Sequence, residues 1–201
     1  MALNRRKTLL IAAAALAIPL AASAAPAPAF TAKDLNGANV SLAALKGKTV
    51  VLEWVNEGCP YVRKHYSTGS MQQTQKDARA EGVVWVQVVS SAPGEQGHFA
   101  NPAQAKAWIT AQKASPDHMI LDPTGAIGRQ YKATTTPEMF VIDKTGQLVY
   151  RGGIDNKPTS RTADLAGAKN FVRAALSDLK AGKPVQTAFS QSYGCSVKYK
   201  T

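Results

Sequence analysis

Two stretches of the chain are apolar at consecutive positions and rich in β-branched residues: residues 49–55 (TVVLEWV) and 83–89 (VVWVQVV). Runs of this kind mark strands buried on both faces, as in a parallel sheet. Between them the pattern turns helical from Pro60 to Ala80, with a break expected near Ser67-Thr68-Gly69. Met71, Thr74 and Ala78 share one face there, and Glu81-Gly82 stops the helix. Upstream, Asn36-Gly37 separates two short alternating runs, a hairpin signal. Downstream, residues 90–102 (SSAPGEQGHFANP) form a loop by composition, either an ordinary surface connection or a lid over whatever lies beside it. A helix opening on Pro102 follows, then a short strand at 118–122 (HMILD) and a helical turn in PTGAIGRQY. PEMFVID and QLVYRG read as two strands joined at Lys144-Thr145-Gly146. A long helix is predicted over TADLAGAKNFVRAALSDLKAG, with Leu165, Ala168, Phe171, Val172, Ala175, Leu176 and Leu179 on its apolar face and Gly182 at its end.

The order hairpin, β, α, β, α, β, β-hairpin, α predicts an α/β domain. A parallel βαβ unit comes first, and an antiparallel pair with a covering helix comes last. Such a chain packs as a mixed central sheet with helices on both faces and the N-terminal β-hairpin at its side. The domain is expected over residues 30–185, after a short extended leader at 25–29. A polar C-terminal tail, 186–201, carries Cys195.

Residues 1–24 read as a secretory signal peptide: basic at Arg5, Arg6 and Lys7, apolar from Leu9 to Leu20, and closed by Ala22-Ser23-Ala24. The paired arginines leave both general and twin-arginine export open. An exported chain, most readily a periplasmic one, meets an oxidising compartment, and no other segment has the length to anchor it in a membrane. The net charge of +11 is spread along the chain without interleaved aromatics. This favours a soluble basic surface over a nucleic-acid partner.

The chain has two cysteines, Cys59 and Cys195, and so one intramolecular pairing. Cys59 closes the first central strand and opens a helix, with Pro60 suited to the first helical position. A thiolate there faces unpaired backbone N–H groups and the positive end of the helix dipole, which lowers its pKa and makes it a nucleophile. Arg63 and Lys64 lie one turn further in and add positive potential. Glu53 interrupts the apolar strand six residues earlier. Two roles stay open for it, a buried proton relay or a side chain reaching solvent at an edge. Thr136-Pro137 precedes a strand, where proline is found both cis and trans. Cys195, beside Gly194, is expected on a flexible tail. It either folds back to resolve an oxidised Cys59, or forms a permanent structural disulfide, or lies elsewhere. No zinc-type spacing occurs, and no cofactor is expected.

The stretches VVLEWVNEGCPYV and LDPTGAIGRQYKATTTPEMFVIDKTGQLVYRGGID, the late helix and the terminal YGCSVKY resemble the thioredoxin-fold superfamily, in its exported redoxin (AhpC/TSA, peroxiredoxin-like) branch. The resemblance implies a thioredoxin-like three-layer α/β/α fold with Cys59 as the attacking thiol and Pro137 as a cis-proline. It also implies Thr136 beside Cys59, and Glu53 at the position of a buried acid. Pro60, Thr136, Pro137, Asn56 and Arg63 then line the substrate site. The chain departs from that pattern in two ways. Val62 stands where a CxxC motif has its second cysteine. Leu52 and Asn56 stand where peroxiredoxins carry a proline and a hydroxyl residue ahead of the peroxide-reacting cysteine.

The expected function is an exported thiol-dependent oxidoreductase of the disulfide-exchange and antioxidant type. It would act on a protein thiol or disulfide and take electrons from an external reductant. The alternatives are a peroxiredoxin-like peroxidase acting on small hydroperoxides, and a redox-inert binding module or copper carrier. In copper-delivering relatives a second cysteine stands where this chain has Arg63.

Overall fold

The computed structural model describes residues 24–200. The segment read as a signal peptide, apart from Ala24, lies outside the described residues. The elements in chain order are β1 (Ala25–Pro26), β2 (Thr31–Lys33), β3 (Asn39–Ser41), β4 (Val50–Trp54), α1 (Pro60–Ser67), α2 (Ser70–Ala80), β5 (Val84–Val89), α3 (Pro102–Ala111), β6 (His118–Leu121), α4 (Ala126–Tyr131), β7 (Thr135–Thr136), β8 (Glu138–Ile142), β9 (Gln147–Gly152), α5 (Phe171–Lys180) and β10 (Cys195–Ser196).

Six strands form one mixed sheet in the order β1-β9-β8-β4-β5-β6. β4 pairs with β5, and β5 with β6, in parallel, whereas β8 runs antiparallel to both β4 and β9. The two apolar runs thus become the central strands, and their alternation divides the core in two. Val51, Trp85, Met139 and Val141 face α1, α2 and α5. Leu52, Trp54, Val86, Val88 and Phe140 face α4 and the β2–β3 hairpin. This is the three-layer α/β/α arrangement. The hairpin turns at Asn36-Gly37 as expected, and the Asp34 carboxylate accepts from the N–H groups of Asn36 and Ala38. The extended leader supplies a sheet edge, with Ala25 opposite Leu148.

Two expectations need correction. The long helix does not begin in TADL. A short 3-10 turn covers Thr162–Leu165, and α5 starts only at Phe171. Gly167 has a positive φ of 72°, and the Asn170 side chain accepts from Arg173 N–H as an N-cap, so the helix nucleates there. The C-terminal tail, expected to be flexible, is an ordered strap. Ser190 N–H donates to Arg151 O, Val197 N–H to Thr134 O and Ala92 N–H to Lys198 O. Tyr193 and Val197 are buried. Among the described residues no helix is long and apolar enough to cross a membrane.

Candidate active site

The turn Asn56-Glu57-Gly58-Cys59 carries the chain from β4 to α1. Asn56 organises it: its Oδ1 accepts from Gly58 N–H at 2.9 Å and its Nδ2 donates to Gln96 O at 3.1 Å. Gln96 answers by donating to Gly58 O at 3.2 Å. The 90–102 loop is therefore a brace on the cysteine turn. Both ends of the Asn56 amide are used, Oδ1 within the turn and Nδ2 on the loop, so Asn56 shapes the turn. Arg63 is exposed and its Nη2 lies 3.5 Å from Gly58 O. Pro60 is exposed at the first position of α1.

Cys59 is the N-cap residue of α1 and has 0% exposure. Its Sγ donates to Thr136 O at 3.1 Å. The Thr136–Pro137 bond is cis, and Thr136 is buried against the cysteine. The strap supplies the other wall. β10 pairs antiparallel with β7, so that Cys195 lies directly opposite Thr136. Gly194 makes this approach possible: its φ is +132°, and a Cβ there would overlap the Thr136 carbonyl.

Both cysteines thus flank Thr136, Cys59 through its Sγ–Thr136 O bond and Cys195 across the β7–β10 pair, and each thiol lies close enough to shift the titration of the other. Burial alone would raise the Cys59 pKa. The Cys195 thiol, the Val62 N–H, the Thr136 side chain and the Cys195 N–H together outweigh burial and hold it below the ordinary thiol value. The Cys195 thiol is pushed up to about 12 by burial, by its hydrogen bond to Cys59 and by the Cys59 charge. The pair is thus asymmetric, with the stabilised negative charge on Cys59.

Glu53 also has 0% exposure, which excludes the edge position. Its carboxyl accepts from Tyr66 Oη (2.6 Å), Trp85 Nε1 (2.8 Å), Gln75 Nε2 (3.0 Å) and Gln87 Nε2 (3.2 Å). Burial raises its pKa, and these four donors offset part of the rise. All four lie in the core under α1 and α2, and none of these bonds reaches Cys59.

One cluster has no counterpart in the sequence reading. Lys64, read as positive potential for Cys59, is 1% exposed and points elsewhere. Its Nζ donates to Lys157 O at 2.7 Å and lies 3.6 Å from Asp155 Oδ2. Tyr193 Oη donates to Asp155 Oδ1 at 2.6 Å and lies 3.4 Å from His65 Nε2. This buried group bolts the strap to α1 two residues before Cys195. YRGGID and SYGC each hold one of the partners, but neither shows the contact. Among the described residues no group of three or more His, Cys, Asp or Glu could hold a metal ion.

A buried, helix-capping cysteine against a cis-proline turn, at the end of a central strand of a mixed α/β/α sheet, defines a thioredoxin-like protein. The comparisons narrow this class. The chain belongs to the Redoxin family, whose model matches residues 22–170. Similar solved structures include an uncharacterized conserved protein from Geobacillus kaustophilus, at 25% identity and a TM-score of 0.72 over 90% of this chain and 94% of that one. A hypothetical protein from Sinorhizobium meliloti matches at 23% identity and a TM-score of 0.70, over 89% and 94% of the two chains. The thioredoxin domain of a thiol-disulfide oxidoreductase from Bacteroides vulgatus matches at 25% identity and a TM-score of 0.50, over 65% and 87%. No curated protein matches the sequence significantly.

Proposed function

We propose that this protein is an exported thiol-disulfide oxidoreductase that cycles between a Cys59/Cys195 dithiol and the corresponding disulfide. The observation that carries the reading is the pairing of β10 with β7, which sets Cys195 opposite Thr136, the residue whose carbonyl accepts from Cys59 Sγ, and packs it against the core cluster that holds Cys59. Cys59 supplies the thiolate. When it is oxidised, by a disulfide or to a sulfenic acid, Cys195 attacks it and closes the bond. The partner missing at Val62 is thus drawn from the far end of the chain. Membership of the Redoxin family supports redox chemistry, and the Bacteroides relative is itself described as a thiol-disulfide oxidoreductase. Thr136 and Pro137 form the wall beside the sulfurs, Pro60 and Arg63 form the exposed rim, and Asn56 braces the turn. Export, most readily to a periplasm, follows from the signal-like residues 1–24.

Disulfide exchange ranks ahead of peroxide reduction. Leu52 packs into the opposite core layer and the Asn56 amide is committed to Gly58 and Gln96, so neither serves a peroxide. The test is thiol titration of the protein before and after mild oxidation, with mass mapping of the bond. The expected result is two free thiols that convert to one intramolecular Cys59–Cys195 linkage. Two thiols that survive oxidation, or bonds only between molecules, would refute the cycle. Peroxide consumption measured beside dithiol–disulfide turnover then ranks the substrates. The inert-module reading requires the native protein to show neither activity, and turnover that is lost in Cys59→Ser would refute it.

A further inference from the structure

We infer that electrons enter the oxidised protein through Cys195: an external dithiol attacks the Cys195 sulfur of the Cys59–Cys195 disulfide and expels Cys59. This deepens the proposed dithiol cycle and rests on it. It assigns the sulfur that meets the reductant to the strap, whereas the thiolate of the reduced pair belongs to the helix cap.

The geometry carries the assignment. A thiolate attacks a disulfide sulfur along the line of the bond it breaks, from the side away from the leaving sulfur. For Cys59 that side is the protein interior, because the residue has 0% exposure and packs in the core with Val55, Val62 and Met139. Thr136, only 2% exposed, closes the flank. Cys195 sits at the outer side of the pair and is partly exposed, next to the exposed Ser196. Lys198 places a positive charge near Cys195, where an incoming thiolate is attracted.

Leaving-group chemistry points the same way. The departing sulfur should be the one whose negative charge the protein stabilises. The N–H groups of Val62 and Cys195 and the Thr136 side chain serve Cys59 in this way.

The step balances as follows. The donor's first thiolate forms a bond to Cys195 Sγ, the Cys59–Cys195 bond breaks, and its electron pair stays on Cys59 as thiolate. The donor's second thiol then attacks its own sulfur in the mixed disulfide. Cys195 leaves and takes up the proton, and the donor departs as a disulfide. One dithiol has been oxidised and one disulfide reduced, with two electrons transferred.

The experiment uses the full chain, oxidised and verified by mass to hold the Cys59–Cys195 bond. Glutathione is added in increasing excess, the mixture is quenched in acid at short times, and the adduct is mapped. The expected result is glutathione on Cys195 with Cys59 free, in about tenfold or greater excess over the reverse adduct. Glutathione mainly on Cys59, or none on Cys195 at any concentration, would overturn the assignment. Failure of the disulfide to form at all is seen before glutathione is added, and it would refute the cycle instead.

Discussion

At the residue scale the asymmetry between the two thiols is a balance of burial against donors. Burial raises the Cys59 pKa, and the donors around it, the Cys195 thiol foremost, pull it down. Cys195→Val keeps comparable bulk over Cys59 and removes that donor, so the Cys59 pKa should rise. Cys195→Ser restores a donor and should leave Cys59 depressed. The thiolate ultraviolet absorbance followed against pH separates the two, and identical titration of both variants would contradict the balance. His65 provides a second prediction. Burial lowers its pKa to about 4, despite the nearby Asp155 carboxylate that favours its charged form. The unfolded chain, with histidine near 6.5, therefore binds the extra proton first. Stability is full above pH 6.5 and falls as the pH drops towards 4, by on the order of 3 kcal/mol from this residue. His65→Gln should flatten that part of the urea-unfolding profile. The sequence marks Cys59 plainly, as a cysteine between an apolar strand and a proline. Lys64 and His65 were not legible, because a helix that is polar by composition gives no sign that part of its polar face is buried against a distant aspartate.

At the element scale the central strands were legible and the strap was not. A strand buried on both faces reveals itself by a continuous apolar run, as in TVVLEWV. β10 has only two residues, and its partner β7 is remote in sequence, so no periodicity announces either. The extended reading of the last helix fails for a related reason. Leu165 and Ala168 continue the apolar period across Gly167, but Asn170 caps the chain and starts α5 afterwards. The strap itself depends on Gly194. Alanine there would meet both a φ of +132° and the Thr136 carbonyl, a strain of about 1–3 kcal/mol or more. Tyr193 still anchors the strap ahead of Gly194, so the expected outcome of Gly194→Ala is lifting of β10 and Val197 from β7 with the central sheet intact. In the reduced variant Cys59 should be alkylated about tenfold faster or more, and the Val197 amide should lose protection from hydrogen exchange. Unchanged alkylation with full protection would show that the β7–β10 contact is not what covers Cys59.

At the scale of the whole molecule, one bond between Cys59 and Cys195 would close everything from the start of α1 to β10 into a loop. The chain-entropy model gives such a closure about 5 kcal/mol of stability, because it restricts the unfolded ensemble. The native state has little to rearrange: both cysteines already flank Thr136, and the strap is held by the Tyr193–Asp155 bond and by Val197 N–H on Thr134 O without any covalent link. Oxidation should therefore raise the melting temperature by roughly 10–20 °C for a chain of this size. The Cys59→Ser variant should show no such dependence on oxidant. Because the same anchors operate in both states, the reduced protein should keep its full secondary structure below its own transition. That behaviour separates a redox pair from a permanent structural disulfide, whose loss from a domain that relies on it commonly abolishes folding. Calorimetry of the reduced and oxidised protein decides the matter. Equal melting temperatures would mean that the bond does not form within the folded chain. A reduced protein without a cooperative transition would mean that the strap is held by the disulfide rather than by its hydrogen bonds.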